Sequence, residues 1–218
     1  MLSVAMIGAG RIGRIHARNI AVHSSARLAG VADVDAAAAA QLAEACGART
    51  LSIDEAFAAD AVVIGSPTPT HADYIERAAA AGCAIFCEKP IDLAADRVRA
   101  CLAAVRRAGV MLMVGFNRRF DPHFGALKRR MDAGEIGAVE LLTIISRDPA
   151  PPPPAYIATS GGLFRDMMIH DLDMARFLLG EEPVELHAAA SCLVDPSIAA
   201  AGDVDTAVVT LRDRKSVV

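Results

Sequence analysis

Asp166, His170 and Asp173 stand at i, i+4 and i+7 within residues 161–180, which read GGLFRDMMIHDLDMARFLLG. On a continuous α-helix that spacing puts the three ionisable side chains on one face. Met167, Met168, Ile169, Leu172, Met174, Phe177, Leu178 and Leu179 surround them. So much apolar surface predicts a substantially buried helix, where an ionisable trio costs free energy unless its members pair or act on something. A carboxylate one turn from an imidazole fixes the imidazole's tautomer and favours its charged form, which is what a proton-transfer site near neutral pH needs. A buried ion pair without chemistry is the competing reading.

A partner for such a site is written at the other end of the chain. Apolar residues 4–7 lead into Gly8-Ala9-Gly10-Arg11-Ile12-Gly13 and then a helical pattern to about residue 21. In a dinucleotide-binding loop the first glycine permits the tight turn and the second lets backbone approach a pyrophosphate at the helix N-terminus. The third lets the helix pack on the strand. Arg11 and Ile12 belong to the same candidate cofactor loop. Flavin and S-adenosylmethionine proteins use similar loops, so Asp33 is needed to sharpen the reading. It lies at the end of the second apolar run, where a carboxylate accepts hydrogen bonds from the adenosine ribose and repels a 2′-phosphate. NAD is therefore the expected cofactor.

Two further strand ends point to the same crevice, because ligands of open α/β sheets bind beyond the carboxyl ends of strands. Residues 61–65 run into Ser66-Pro67-Thr68-Pro69-Thr70-His71, and residues 84–87 into Glu88-Lys89-Pro90. Ser66, Thr68, His71 and Glu88 are candidate cofactor contacts. Pro90 pushes Lys89 into an extended conformation, which fixes its direction; an ion pair with Glu88 is the plainer reading. His71 opens a helix, where the dipole opposes a positive charge, so either neutral contact with the cofactor or an ordinary surface position suits it. His16 reads as structural.

These residues must be positioned by two kinds of architecture. Apolar runs at 4–7, 28–32, 61–65, 84–87 and 111–114 alternate with helical patterns, the signature of a doubly wound parallel sheet. Ser52-x-x-Glu55 and Thr70-x-x-Asp73 read as capping boxes, and Gly82 and Gly109 as helix stops. The texture then changes, which predicts a first domain over 1–118 and a second over 119–218. The second should be α+β, with a helix at about 122–133 and strands at about 138–146, 184–194 and 204–211 in a mainly antiparallel sheet. Pro151 to Pro154 predict a stiff extended loop, either a surface linker or a lid.

Composition narrows the classes. A net charge of −4 and a pI near 5.8 argue against a nucleic-acid surface. Five cysteines without a C-x-x-C pair indicate neither a disulfide framework nor a zinc site, so no metal is expected. Without a secretory leader or an apolar run of membrane-spanning length, the expectation is a cytoplasmic protein with no membrane partner.

Taken in order, Gly8 to Gly13, Asp33, Ser66 to His71, Glu88-Lys89-Pro90 and Asp166-x-x-x-His170 resemble the Gfo/Idh/MocA oxidoreductases. Ser146-Arg147-Asp148-Pro149 and the run from Gly161 to Asp171 resemble the branch of that family that oxidises inositols. The resemblance implies a Rossmann domain, then an α+β domain whose open sheet serves in homo-oligomer formation. It implies that Lys89 contacts the reacting hydroxyl, His170 is the general base and Asp166 orients it. Arg119 and Asp173 would hold other hydroxyls of a small polyol, and a cis peptide would precede Pro90. Members of the family continue beyond residue 218, so the chain is expected to be C-terminally truncated with its second sheet incomplete.

Overall fold

The computed structural model describes residues 1–214, which divide into two compact units, Met1–Gly115 and a second from Phe116 onward. In the first, the strands are β1 (Leu2–Ile7), β2 (Ala26–Ala32), β3 (Arg49–Thr50), β4 (Ala61–Ile64), β5 (Ala84–Cys87) and β6 (Leu112–Val114). The helices are α1 (Arg11–Ala21), α2 (Ala36–Ala45), α3 (Ile53–Ala56), α4 (His71–Ala80) and α5 (Ala95–Ala108). Every strand pair is parallel, in a six-stranded sheet of order β3-β2-β1-β4-β5-β6. This is the doubly wound arrangement, with its switch point between β1 and β4.

Both faces of this sheet are covered, which is why its central strands are aliphatic throughout rather than alternating. Ile7, Val62, Ile64, Ile75 and Cys101 belong to one buried cluster, while Met6, Ala17, Val31 and Leu42 belong to another. Consecutive residues Met6 and Ile7 point to opposite clusters, as strand geometry demands. Each such side chain contributes about 1.5–3 kcal/mol by leaving water.

Local signals explain several helix ends. Asp35 caps α2 by accepting from the Ala37 and Ala38 N–H groups at 3.0 and 3.1 Å. Ser52 and Glu55 form the reciprocal capping box of α3. Thr70 does not cap α4: its hydroxyl meets Ser66 Oγ at 2.7 Å and donates to the Pro67 carbonyl at 2.8 Å, while Asp73 pairs with Arg97 at 2.5 Å. The short edge strand β3, absent from the sequence reading, pairs through only Gly30↔Arg49 and Val31↔Thr50.

The second unit contains α6 (Pro122–Asp132), α7 (Pro154–Ser160), α8 (Met168–Leu179), β7 (Glu185–Ser191), α9 (Pro196–Ala200) and β8 (Thr206–Arg212). β7 and β8 form an antiparallel ribbon in register from Glu185↔Arg212 to Ser191↔Thr206. Three expectations are corrected here. Residues 138–146 are not a strand: they belong to neither sheet, although Leu142 and Ile144 are more sheltered than Leu141, Thr143 and Ile145. The alternation is present, but a strand also needs a ladder partner. Pro154 does not extend the proline loop but opens α7, where a missing N–H costs nothing. Finally, the helix expected from Asp166 is not one α-helix; a π turn over Leu163–Met167 precedes α8.

Cys83, Cys87 and Cys101 are buried in the first unit, and Cys46 and Cys192 are half-exposed; all are free thiols. Among the described residues no helix is long and apolar enough to cross a membrane.

Candidate active site

The glycine loop follows β1 and opens α1. Gly8 has φ +106°, and a Cβ there would lie 2.6 Å from the backbone of Gly65 and Ser66. A Cβ on Gly13 would lie 1.9 Å from the Gly8 carbonyl oxygen. The fold itself therefore requires both glycines. Gly10 differs: its φ is −69°, and a Cβ there would meet nothing within 4 Å. Neither backbone conformation nor packing explains that glycine, whereas a ligand brought close to the helix N-terminus does. No side chain caps α1 and no acid stands in its first turn, so the amides of Arg11, Ile12 and Gly13 present positive potential to an anion.

Asp33 stands just beyond β2 against this loop. Its Oδ2 accepts the Ala9 N–H at 2.6 Å and its Oδ1 the Asp35 N–H at 2.8 Å. These bonds fix the carboxylate beside Gly8–Gly10, the placement a ribose contact needs. Open space at Gly10, free amides at α1 and an anchored acid fit NAD.

Beyond β4, Ser66 and Thr68 are partly exposed in the short turn before α4. His71 is not the ordinary surface histidine of the plainer reading. It is 2% exposed, with Nδ1 2.7 Å from the Pro90 carbonyl oxygen and Nε2 2.7 Å from that of Ser66. It ties together the two loops that follow β4 and β5. Beyond β5, the Lys89–Pro90 peptide is cis and Lys89 is partly buried. Glu88 Oε1 meets His16 Nε2 at 2.7 Å, and the His16 ring stands edge-on to Phe86. His16, read as structural, thus holds a candidate cofactor residue. A Cβ on Gly115 would come 3.1 Å from the Glu88 carboxylate, so Gly115 leaves that side chain its room.

In the second unit, His170 and Asp173 lie on α8, while Asp166 lies in the π turn ahead of it. The three therefore do not share one uninterrupted α-helix. Burial is also less than expected: on α8 only Asp173, Met174 and Leu178 are fully buried, and His170 and Asp166 are intermediate. Asp166 Oδ1 accepts from the Tyr156 hydroxyl at 3.2 Å, a contact from α7 with no counterpart in the sequence reading.

Asp173 is paired with Arg119. Arg119 Nε donates to Oδ2 at 2.8 Å and a terminal nitrogen to Oδ1 at 2.6 Å, a bidentate fork with the guanidinium 5.4 Å from the centre of the Phe177 ring. The hydrogen bonds to Asp173 hold the Arg119 pKa above its ordinary value. The adjacent Arg118 pairs with Asp171, which also accepts from Ser146 at 2.6 Å. Two consecutive arginines thus hold two aspartates of α8.

Residues 2–116 match the model of the Gfo/Idh/MocA oxidoreductase family, NAD-binding Rossmann fold, and residues 124–218 match that family's C-terminal domain. The chain belongs to the Gfo/Idh/MocA family. Its first unit is the family's NAD-binding domain. Among family members, the chain is 58% identical over 210 residues to an inositol 2-dehydrogenase of Rhizobium meliloti strain 1021, covering 95% of this chain and 64% of that one. Among solved structures it superposes with a TM-score of 0.96 at 56% identity on a putative myo-inositol dehydrogenase from Sinorhizobium meliloti 1021, covering 99% of this chain and 66% of that one. A scyllo-inositol dehydrogenase from Lactobacillus casei with bound NAD(H) and scyllo-inositol superposes with a TM-score of 0.84 at 29% identity, over 99% of this chain and 67% of that one. The chain thus spans 64% of the length of its curated Rhizobium relative.

Proposed function

We propose that the whole protein is an NAD-dependent dehydrogenase that oxidises a secondary hydroxyl of a cyclic polyol, with myo-inositol converted to the 2-keto inosose. The observation that carries this reading is the likeness to inositol dehydrogenases across both units. NAD, when bound, supplies the carbon that accepts hydride. His170 takes the hydroxyl proton, and Asp166 orients its ring. Lys89 donates to the same oxygen as negative charge develops on it, the point at which a preplaced cation does most. No metal is needed in that role.

Arg119 and Asp173 hold other hydroxyls of the ring. Their fork uses two nitrogens of Arg119, which leaves further guanidinium N–H groups to donate. Ser66, Thr68 and Glu88 take the cofactor side with Gly8, Gly10, Arg11, Ile12, Gly13 and Asp33. His71 acts there through the backbone it holds rather than by contact. The full-length protein is proposed to work as a homo-oligomer.

The test is a panel of inositols, sugars and cyclic diols with saturating NAD, followed by NADH absorbance. Turnover of myo-inositol in preference to the others is expected. Preference for a sugar would reassign the substrate, and tight NAD binding without turnover of any polyol would make the protein a binder rather than an enzyme.

A further inference from the structure

His71 grips two strand extensions just where they leave the sheet. After β4, the Gly65 N–H still reaches the Ile7 carbonyl at 2.8 Å, and Ser66 follows. After β5, the Glu88 N–H meets the Ile64 carbonyl at 2.9 Å, and Lys89 follows. The His71 ring then meets the Ser66 carbonyl through Nε2 and the Pro90 carbonyl through Nδ1, each at 2.7 Å. Lys89 therefore lies between a ladder bond on one side and His71 on the other. The ring is fixed by its helix: it is buried, and Ala72, Ile75, Ala78 and Ala79 of α4 belong to the core cluster that contains Ile64 and Ile85.

A carbonyl oxygen only accepts, so a ring nitrogen bonded to one must carry a hydrogen. Neutral imidazole has a single N–H. Its other nitrogen would turn a lone pair toward a carbonyl oxygen out of reach of water, which costs free energy. The imidazolium form satisfies both contacts. The positive end of the α4 dipole opposes that charge, while two carbonyl dipoles aimed at the ring favour it. Asp73 and Glu88, the acids beside these segments, pair with Arg97 and His16.

We propose that His71 is a positioning residue that works as an imidazolium with two separable duties: Nε2–H seats the Ser66 turn for NAD, and Nδ1–H seats Pro90, and with it Lys89, for the reacting hydroxyl. The inference rests on the roles proposed above for Ser66, Thr68 and Lys89. The duties can be divided because amide side chains copy one ring nitrogen each. Glutamine puts its NH2 where Nε2 stands, and asparagine where Nδ1 stands. His71→Gln thus keeps the Ser66 bond, and His71→Asn keeps the Pro90 bond.

In the 218-residue chain at neutral pH, ¹⁵N spectra should show a hydrogen on both ring nitrogens of His71. At saturating polyol, His71→Gln should lower kcat at least ~10-fold with the KM for NAD nearly unchanged. His71→Asn should show the opposite split, raising that KM at least ~10-fold with kcat nearly unchanged. A bare ring nitrogen at neutral pH would overturn the proposal. So would two variants that change kcat and KM in the same proportion, which would make His71 a general support of the fold. The ring spectrum needs no variant, so it decides even if a substitution prevents folding. A wild-type chain that turns over no polyol would count against the proposed function instead. The ring spectrum and the calorimetric NAD affinity of the variants, weakened by Asn and not by Gln, would still decide on His71.

Discussion

Gly10→Ala separates what the fold needs from what the cofactor needs. The new methyl group meets no protein atom within 4 Å, and a φ of −69° suits alanine. Alanine is a poorer N-cap than glycine by about 0.5–1 kcal/mol, but it also lowers the entropy of the unfolded chain, which returns about 0.4–1 kcal/mol. The two nearly cancel, so the melting temperature should move by no more than about 3 °C. Gly13→Ala is the contrast. Its methyl group would lie 1.9 Å from a backbone oxygen that cannot rotate away, and about 3 kcal/mol of destabilisation is expected. For NAD, the Gly10 methyl group occupies the approach to the α1 amides, and the Kd should rise at least ~10-fold, about 1.4 kcal/mol. Thermal melts and titration calorimetry with NAD measure both quantities on the same samples. An unchanged Kd in a normally folded Gly10→Ala protein would refute the assignment of that open space to the pyrophosphate.

Other outcomes follow from the second unit. His170→Ala should reduce turnover at least ~100-fold with NAD affinity little changed; near-normal activity would remove it as the base. The Arg119–Asp173 fork is asymmetric, with side-chain exposures of 37% and 4%. Arg119→Leu strands a buried carboxylate and should cost about 3–5 kcal/mol in denaturant melts. Asp173→Asn leaves an arginine that water can reach and should cost less. Asp205 accepts the Leu193, Val194 and Asp195 N–H groups, each at 2.9 Å, and these hold its pKa far below the ordinary carboxylate range. A lowered folded-state pKa gives stability that is present above the unfolded value of about 3.9 and lost as pH falls below it. Asp205→Asn should therefore flatten the acid limb of the stability curve below about pH 4, and an unaltered limb would assign that loss elsewhere.

What could be read from the residues divides by range. The parallel strands, the glycine loop and Asp33 are legible because their signals are local: aliphatic runs, glycine spacing and an acid at a strand end. Strand β3 is too short to carry a period, and it exists because β2 offers it a neighbour. The strand expected at 138–146 has the right alternation, but neither sheet takes it in. The π turn could not be read at all, since Asp203, which accepts its first amide, lies forty positions away. The burial of His71 is hidden for the same reason: residue type and helix position leave a surface place open, whereas its environment is set by carbonyls five and nineteen residues distant. The pairing of Asp173 with Arg119 spans 54 residues.

The thiols described above amount to a built-in clock for the first unit. Burial pushes the pKa of Cys83 and Cys87 upward and that of Cys101 up to about 11, so in the folded protein little of the reactive thiolate is present at neutral pH. Cys46 and Cys192 offer a thiol-specific reagent earlier targets. In a labelling time course, the delayed modification of Cys83, Cys87 and Cys101 reports how often the sheet core opens, without any added probe. Saturating NAD should lengthen that delay by as much as it stabilises the domain.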